Sequence, residues 1–504
     1  MKKLLILTII CLFSKVGIAQ QKSLDEITSF KIRNSGSFID ENKDVDGYYF
    51  YYEVDKLKKG KREYAIKMMD NNLNDIATKS YIDDKNTFLA QSKFNNQSLM
   101  FAMVNSKEKT YKLVTFDKKG NQGKDIVIPV SKKEIAYFEM MIKMQNFNLL
   151  TPIDNNGFIF NYIKKNKKLG YGLKYIATNG GKSWDYNSPE DAKMIYSISP
   201  IEANEEVVVL AEASIKSMLS STSNMKIVVL ETKTGNLLFE KEFNRDENPR
   251  IINNSFLTKE KNIVLVGEYF KKGDNIVKSE SEGLFSQVLD LQGNVLSDNL
   301  VSWENDIDKM MPADSDGKTR NNTYIMFHDI VRTQAGDYYM IGEKYRKTLS
   351  AAGLLLGGSK TQLTITDAVM FKFDGDFKLK DIIQIDKGKS RAQNLMDYGS
   401  PQMNARILKA YGAFDYEYTQ LDKDRDRFYT SFIDYERLKD EKNKFSFKTI
   451  MYSDGEFKED KIYLSESKGK VTYRVLPGKL GYIMLLEYNK KEKSLDIHLE
   501  KLNF

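Results

Sequence analysis

What most limits the folds open to this chain is a unit that recurs from end to end: a polar turn, an apolar strand, a polar loop, a second apolar strand, then a Gly/Asn/Asp turn and a third strand. The strand after the polar turn reads at 47–53 (GYYFYYE), 98–104, 157–163, 206–212, 262–269, 337–343, 427–433 and 480–487. The later strand ends at Asp70, Asp117, Ala177, Glu231, Asp290, Asp374 and Ser453, and a last copy runs into the C-terminus. Short runs of Tyr, Phe, Val and Ile argue for strands, and helical spacing is scarce. The turns at 117–121 (DKKGN), 231–236 (ETKTGN) and 290–294 (DLQGN) have hairpin chemistry, because Gly and Asn supply positive φ and Asp caps its own backbone. Each unit is thus an antiparallel meander. Four-stranded meanders set around an axis make a β-propeller, whose closure removes long exposed edges. The expectation is an all-β propeller of four-stranded antiparallel blades, eight in number, with seven as the alternative. A β-solenoid or two sandwiches compete, but the copies vary in length more than a solenoid allows. The last copy offers strands near Tyr473–Leu476, Leu480–Glu487 and Ser494–Leu502, one short of a blade, and Ile27–Arg33 is expected to close the ring.

The first residues order themselves as Lys2 and Lys3, an apolar run Leu4–Phe13, and Gly17, Ile18 and Ala19 before the chain turns polar. That is the layout of a signal peptide, so residues 1–19 are expected to be cleaved after Ala19 and residues 20–504 to form one propeller domain in the periplasm or outside the cell. The apolar run is too short to span a bilayer, which takes about 20 helical residues. The single cysteine, Cys11, follows Thr8, Ile9 and Ile10 rather than a small residue, so a lipoprotein is not expected. Without it the exported chain has no disulfide, thiol nucleophile or cysteine metal site. The formal charge of +7 loses Lys2, Lys3 and Lys15 with the leader, leaving +4. Lys alternates with Asp and Glu along the chain, which is no nucleic-acid footprint. No later apolar stretch is long enough for a membrane helix, and counting back by twos from Phe504 gives a poor lipid face for a barrel strand. The expected state is a monomer.

Residues 177–184 (ATNGGKSW) resemble the Asp-box turn of the sialidase-like propellers, with Asn179, Gly181, Ser183 and Trp184 at the Asp, Gly, Thr and Trp positions and Ala177 departing from the usual Ser. The resemblance implies that this turn joins the third and fourth strands of a blade. It carries no sialidase activity, which would need an arginine cluster, and the chain has few arginines. More broadly the chain resembles secreted bacterial propellers without an assigned activity.

Candidate chemistry is sparse. Residues 42–53 follow the calcium-loop count, with Asp44, Asp46, Gly47 and Glu53, but a strand and not a helix follows, so the segment reads as a polar turn with calcium as the alternative. Asp422, Asp424 and Asp426 repeat part of it, and Asp314–Gly317 reads as an Asx turn. Only His328 and His498 are present, too few for a zinc site or a triad; His328 is expected on a strand near the channel mouth, with proton transfer as the sharper reading. Met140, Met141 and Met144 read as filler on a strand. No metal and no cofactor are expected.

The working function is a non-enzymatic binder of a protein, peptide or glycan; the alternative is a glycosidase-like carbohydrate-active enzyme, which would need two facing carboxylates. In a meander, connections after the second strand and between blades emerge at one end. The three longest insertions, 302–322, 344–366 and 387–409, are of these kinds and should share a face around the fifth to seventh blades. They carry the expected ligand-binding residues Trp303, Asp314, Asp316, Arg320, Leu355 and Tyr398.

Overall fold

A computed structural model describes residues 20–504 except 26, 28, 32–33, 41–43, 143–147, 218–222, 244–246, 352, 354–358, 396–398, 423–425, 437–443 and 465–470. It is an eight-bladed propeller of four-stranded antiparallel blades. Blades 1 to 7 start at Ser35, Thr87, Leu150, Ile195, Arg250, Tyr324 and Tyr416, and blade 8 at Val471. The first strands of successive blades touch one another around the whole ring, so they line a central channel, and the fourth strands lie outermost.

Second and third strands are apolar almost continuously because both faces are covered by neighbouring blades. In blade 4, Val208 and Leu210 pack toward blade 3 while Val207 and Val209 pack toward blade 5. The same division puts one apolar cluster in each of the eight seams. Fourth strands alternate and expose their outer residues, as Leu237–Glu242 does. The hairpins between third and fourth strands repeat one device: Asp117 Oδ1 accepts from the Lys119 and Asn121 amides, both at 2.8 Å, and Asp70 and Asp290 do the same for their own turns.

Ring closure is by Gln20–Leu24, not Ile27–Arg33. Gln20–Leu24 pairs antiparallel with Ser494–Lys501, from Gln20 opposite Leu499 to Leu24 opposite Leu495. The apolar residues that suggested the later strand, Ile27 and Phe30, instead plug the seam between blades 8 and 1. Burial without ladder pairing produces the same apolar signature as a strand. The segment 177–184 does run between the third and fourth strands of blade 3, with the Ser183 hydroxyl accepting from the Ala177 amide at 3.2 Å and the Trp184 indole donating to the Thr232 carbonyl of blade 4 at 2.8 Å.

Among the described residues, two α-helices lie in connections between blades. Lys132–Met141 joins blades 2 and 3 and begins at a capping box, Ser131 with Glu134. Met140 and Met141 therefore sit on a helix and not a strand, and Met144 lies outside the described residues. Pro401–Ala410 lies between blades 6 and 7, capped by Ser400 with Pro401 at its first position. Much of the expected insertion at 344–366 is strand: the second and third strands of blade 6, Tyr338–Leu349 and Thr361–Phe373, run long and pair to their tips, and Ser390–Gln393 adds to the ribbon. Among the described residues no helix is long and apolar enough to cross a membrane.

Candidate functional site: the insertion-bearing face

The second strands carry an acid near one end in several blades: Glu53, Glu212, Glu268, Glu343 and Asp434, all buried. A charge taken from water must be paired. Blades 1 and 4 do this with strand residues, Arg62 Nη1 lying 2.5 Å from Glu53 and Lys226 Nζ 3.2 Å from Glu212. In blades 5 to 7 one inserted segment, 386–415, reaches all three acids. Arg406 binds Glu268, Lys387 Nζ lies 3.1 Å from Glu343, and the Gly388 amide donates to Asp434 at 2.6 Å.

The centre of this network is Glu343. His328 Nε2 lies 3.1 Å from Glu343 Oε2, which also accepts the backbone amides of Asp415 and Tyr416 at 3.0 Å. Lys387 bridges Glu343 and Asp415, and the Ser390 hydroxyl donates to Asp415 at 2.6 Å. His328 bulges from the first strand of blade 6, between the paired residues Phe327 and Asp329, and stacks on Tyr416 with ring centroids 5.0 Å apart. The bulge re-aims the imidazole into the blade. Burial pushes His328 down to about 4, so it is neutral at pH 7. Burial likewise raises Asp415 to about 6 despite Lys387, whereas for Glu343 the opposing burial is outweighed by His328 and Lys387 and its value falls. The side chains of His328, Glu343, Lys387 and Asp415 are between 0% and 4% exposed. Two carboxylates sharing one ammonium are thus sealed from any substrate.

The central channel, a cavity of about 1100 Å³, is lined by first strands of blades 1, 2, 3, 7 and 8. Glu417, the bulged residue of its blade, projects into it, and enclosure by protein raises its carboxyl to about 7 even though water reaches it. Arg474 donates to the Ser35 carbonyl at 2.8 Å beside it, and Lys93 is depressed by burial and by Arg474.

The residues expected to bind a ligand separate. Trp303 is 1% exposed: it fills the seam between blades 5 and 6, its indole donates to the Ser281 hydroxyl at 3.1 Å, and its ring meets Phe371 edge-on. It is a core residue and presents no surface to a partner. Asp314 closes an Asx turn, accepting from the Asp316 and Lys318 amides at 3.1 and 2.8 Å; Asp316 is exposed. Arg320 is exposed and lines a cavity. Leu355 and Tyr398 lie outside the described residues. Glu53 pairs with Arg62 on the neighbouring strand, and Asp46 with Lys118, in place of a calcium loop's ligand set. The inserted segments do meet: Gln402 exchanges hydrogen bonds with Ser281 at 2.7 and 3.0 Å, and Ser281 holds Trp303. The buried acids were overlooked in the sequence, although GYYFYYE, EVVVLAE, NIVLVGE and DYYMIGE all carry one at the seventh position.

A family model matches residues 1–503. The chain belongs to DUF6770, a family of unknown function. No curated protein matches it. Among solved structures it is similar to prolyl oligopeptidase B from Galerina marginata (8% identity, TM-score 0.40, over 91% of this chain and 56% of that one). It is also similar to the β-propeller domain of the Trilobed protease from Pyrococcus furiosus (12%, 0.32, over 73% and 100%) and to quinohemoprotein alcohol dehydrogenase from Comamonas testosteroni (9%, 0.40, over 95% and 76%). The chain spans little more than half the length of the oligopeptidase.

Proposed function

We propose that this DUF6770 member is an exported, non-enzymatic propeller that binds a partner through its insertion-bearing face. The observation that carries the reading is an apolar crown. Leu349 and Leu395, on or beside two of the insertions, form it and are 72% and 56% exposed; Met310, on the third, is 47% exposed. Leu349 is paired opposite Thr361, and the Asn394 amide next to Leu395 donates to the Thr361 carbonyl, so the two leucines flank one strand tip. Apolar side chains gathered on a ribbon fixed by hydrogen bonds suit a protein or peptide partner better than a glycan. The glycosidase reading needs two carboxylates open to a sugar, and the pair at the centre of the insertion network, Glu343 and Asp415, is buried around Lys387. Export is supported by the leader-like order of residues 1–19, and cleavage after Ala19 would leave the closing strand Gln20–Leu24 in place.

The test is site-specific photo-cross-linking in the organism that exports the protein, with the photoreactive residue at Leu349 and, as control, at Ile82 on the outer strand of blade 1. A discrete partner adduct from position 349, absent from position 82 and lost on Leu395→Asp, supports the reading; no adduct at 349, or equal adducts from both positions, overturns it. N-terminal sequencing of the exported chain should begin at Gln20, and a retained leader would refute export by this route.

A further inference from the structure

Beside the crown, blade 6 holds a second cavity, of about 530 Å³, whose lining is unlike that of the channel. Five segments build it. The second strand supplies Lys344 and Arg346, two residues apart and so on one face. The third strand bulges opposite them: Glu343 pairs with Ala368 and Tyr345 with Ile365, leaving Thr366 and Asp367 to face Lys344. Such a bulge turns side chains out of the ladder, and Asp367 lines the cavity. Gln384 comes from the fourth strand, Lys389 from the segment after it, and Arg320 from the insertion between blades 5 and 6.

The cavity therefore gathers Arg320, Lys344, Arg346 and Lys389 around one carboxylate, Asp367. The larger channel sets Lys31, Lys93 and Arg474 against Asp40, Asp154 and Glu417, an even balance. Like charges held together repel, and the cost rises where water is displaced. Lys344 is 7% exposed with its ammonium on the Gln384 amide oxygen, and Arg346 keeps a buried Nε without a hydrogen-bond partner. A buried donor left unsatisfied is destabilising until an acceptor arrives. Guanidinium groups meet tetrahedral oxyanions through paired N–H bonds, and the volume is that of a small-molecule site.

We propose that this cavity binds a small polyanion bearing phosphate or sulfate groups, held by Arg320, Lys344, Arg346 and Lys389. The site is independent of the partner reading, since a ligand here needs no protein on the crown.

The test is calorimetric titration of the full exported chain with inorganic pyrophosphate and, separately, with a disulfated disaccharide, at constant ionic strength against a sodium chloride control. The expected result is saturable binding of at least one probe, weakened about tenfold or more by Arg320→Ala with Lys389→Ala, two side chains at the rim. Binding of pyrophosphate alone identifies a phosphate ligand, binding of the disaccharide alone a sulfated one, and binding of both the shared oxyanion chemistry. Asp367→Asn removes the one opposing charge and should tighten binding severalfold, a gain that misfolding cannot produce. No binding of either probe beyond the chloride control, or equal affinity in the parent and in both variants, overturns the proposal.

Discussion

Blades 4 and 6 bury an acid at the same place on the second strand and pair it by different means. In blade 4, Glu212 takes the Tyr171 hydroxyl of blade 3 at 2.5 Å and Lys226, which is 23% exposed and shared with the outer-strand Glu240. Every partner belongs to a blade, and water reaches the cation. In blade 6 the cation, Lys387, is 1% exposed and belongs to the inserted segment, as does Asp415. Blade 5 follows blade 6 in taking its cation, Arg406, from the same segment, whereas in blade 7 Asp434 keeps Lys461 of its own fourth strand at 3.1 Å and takes only the Gly388 amide from that segment. The comparison teaches that the acid is a feature of the repeat, and that an insertion becomes rigid by supplying the counter-charge the blade would otherwise provide for itself.

The sharpest way to break the comparison is to remove the two cations in parallel. Lys387→Met leaves Glu343 and Asp415 facing each other without water, and should cost about 3–5 kcal/mol of unfolding free energy. Lys226→Met leaves Glu212 its tyrosine hydroxyl and should cost about 1 kcal/mol. Denaturant midpoints of the two variants measure both. Equal losses would mean that the insertion is not fastened through Lys387.

Histidine gives the pH dependence of the same contrast. The folded value of His328 lies below its unfolded value of 6.5, at about 4. As pH falls through 6.5 the unfolded chain takes up a proton that the native chain refuses, so stability is lost down to the folded value. Across that window the parent should lose about 3 kcal/mol relative to His328→Gln, while Glu343 and Asp415 titrate in both proteins and Lys387 stays charged in both. Parallel stability curves for parent and variant between pH 7 and 4 would show that His328 is not held neutral.

Blade number and strand content were legible because the repeat is written in turn chemistry and in runs apolar on both faces. Insertions were less legible because inserted and core residues look alike in sequence. Trp303 stands outside any blade strand, yet it is the wedge of a seam, and Ile27 and Phe30 plug another. The helix at Lys132–Met141 announced itself only through Ser131 and Glu134. The cavity cations come from three segments between Arg320 and Lys389, and a charge cluster assembled by folding leaves no local pattern.

The smallest effect tests whether an insertion turn obeys blade rules. Asp117, between strands of blade 2, accepts the Lys119 and Asn121 amides at 2.8 Å, and the Gly120 amide returns to its carbonyl at 2.9 Å. Asp314, in an insertion, accepts the Asp316 and Lys318 amides at 3.1 and 2.8 Å, with the Gly317 amide returning at 3.1 Å. Both glycines hold positive φ, +76° and +75°, and a Cβ on Gly317 would strike the Trp303 ring at 2.8 Å, so this turn folds down onto the seam wedge. The two aspartates therefore hold the same kind of turn, one at a blade edge and one above a core tryptophan. Asp117→Ala and Asp314→Ala should each cost about 1 kcal/mol, as loss of a local side-chain cap does elsewhere, and Asn at either position should recover most of it. Thermal unfolding of the four variants measures this. If Asp314→Ala leaves stability untouched and instead abolishes the cross-link from position 349, Asp314 contacts the partner directly and the equivalence of the two turns fails.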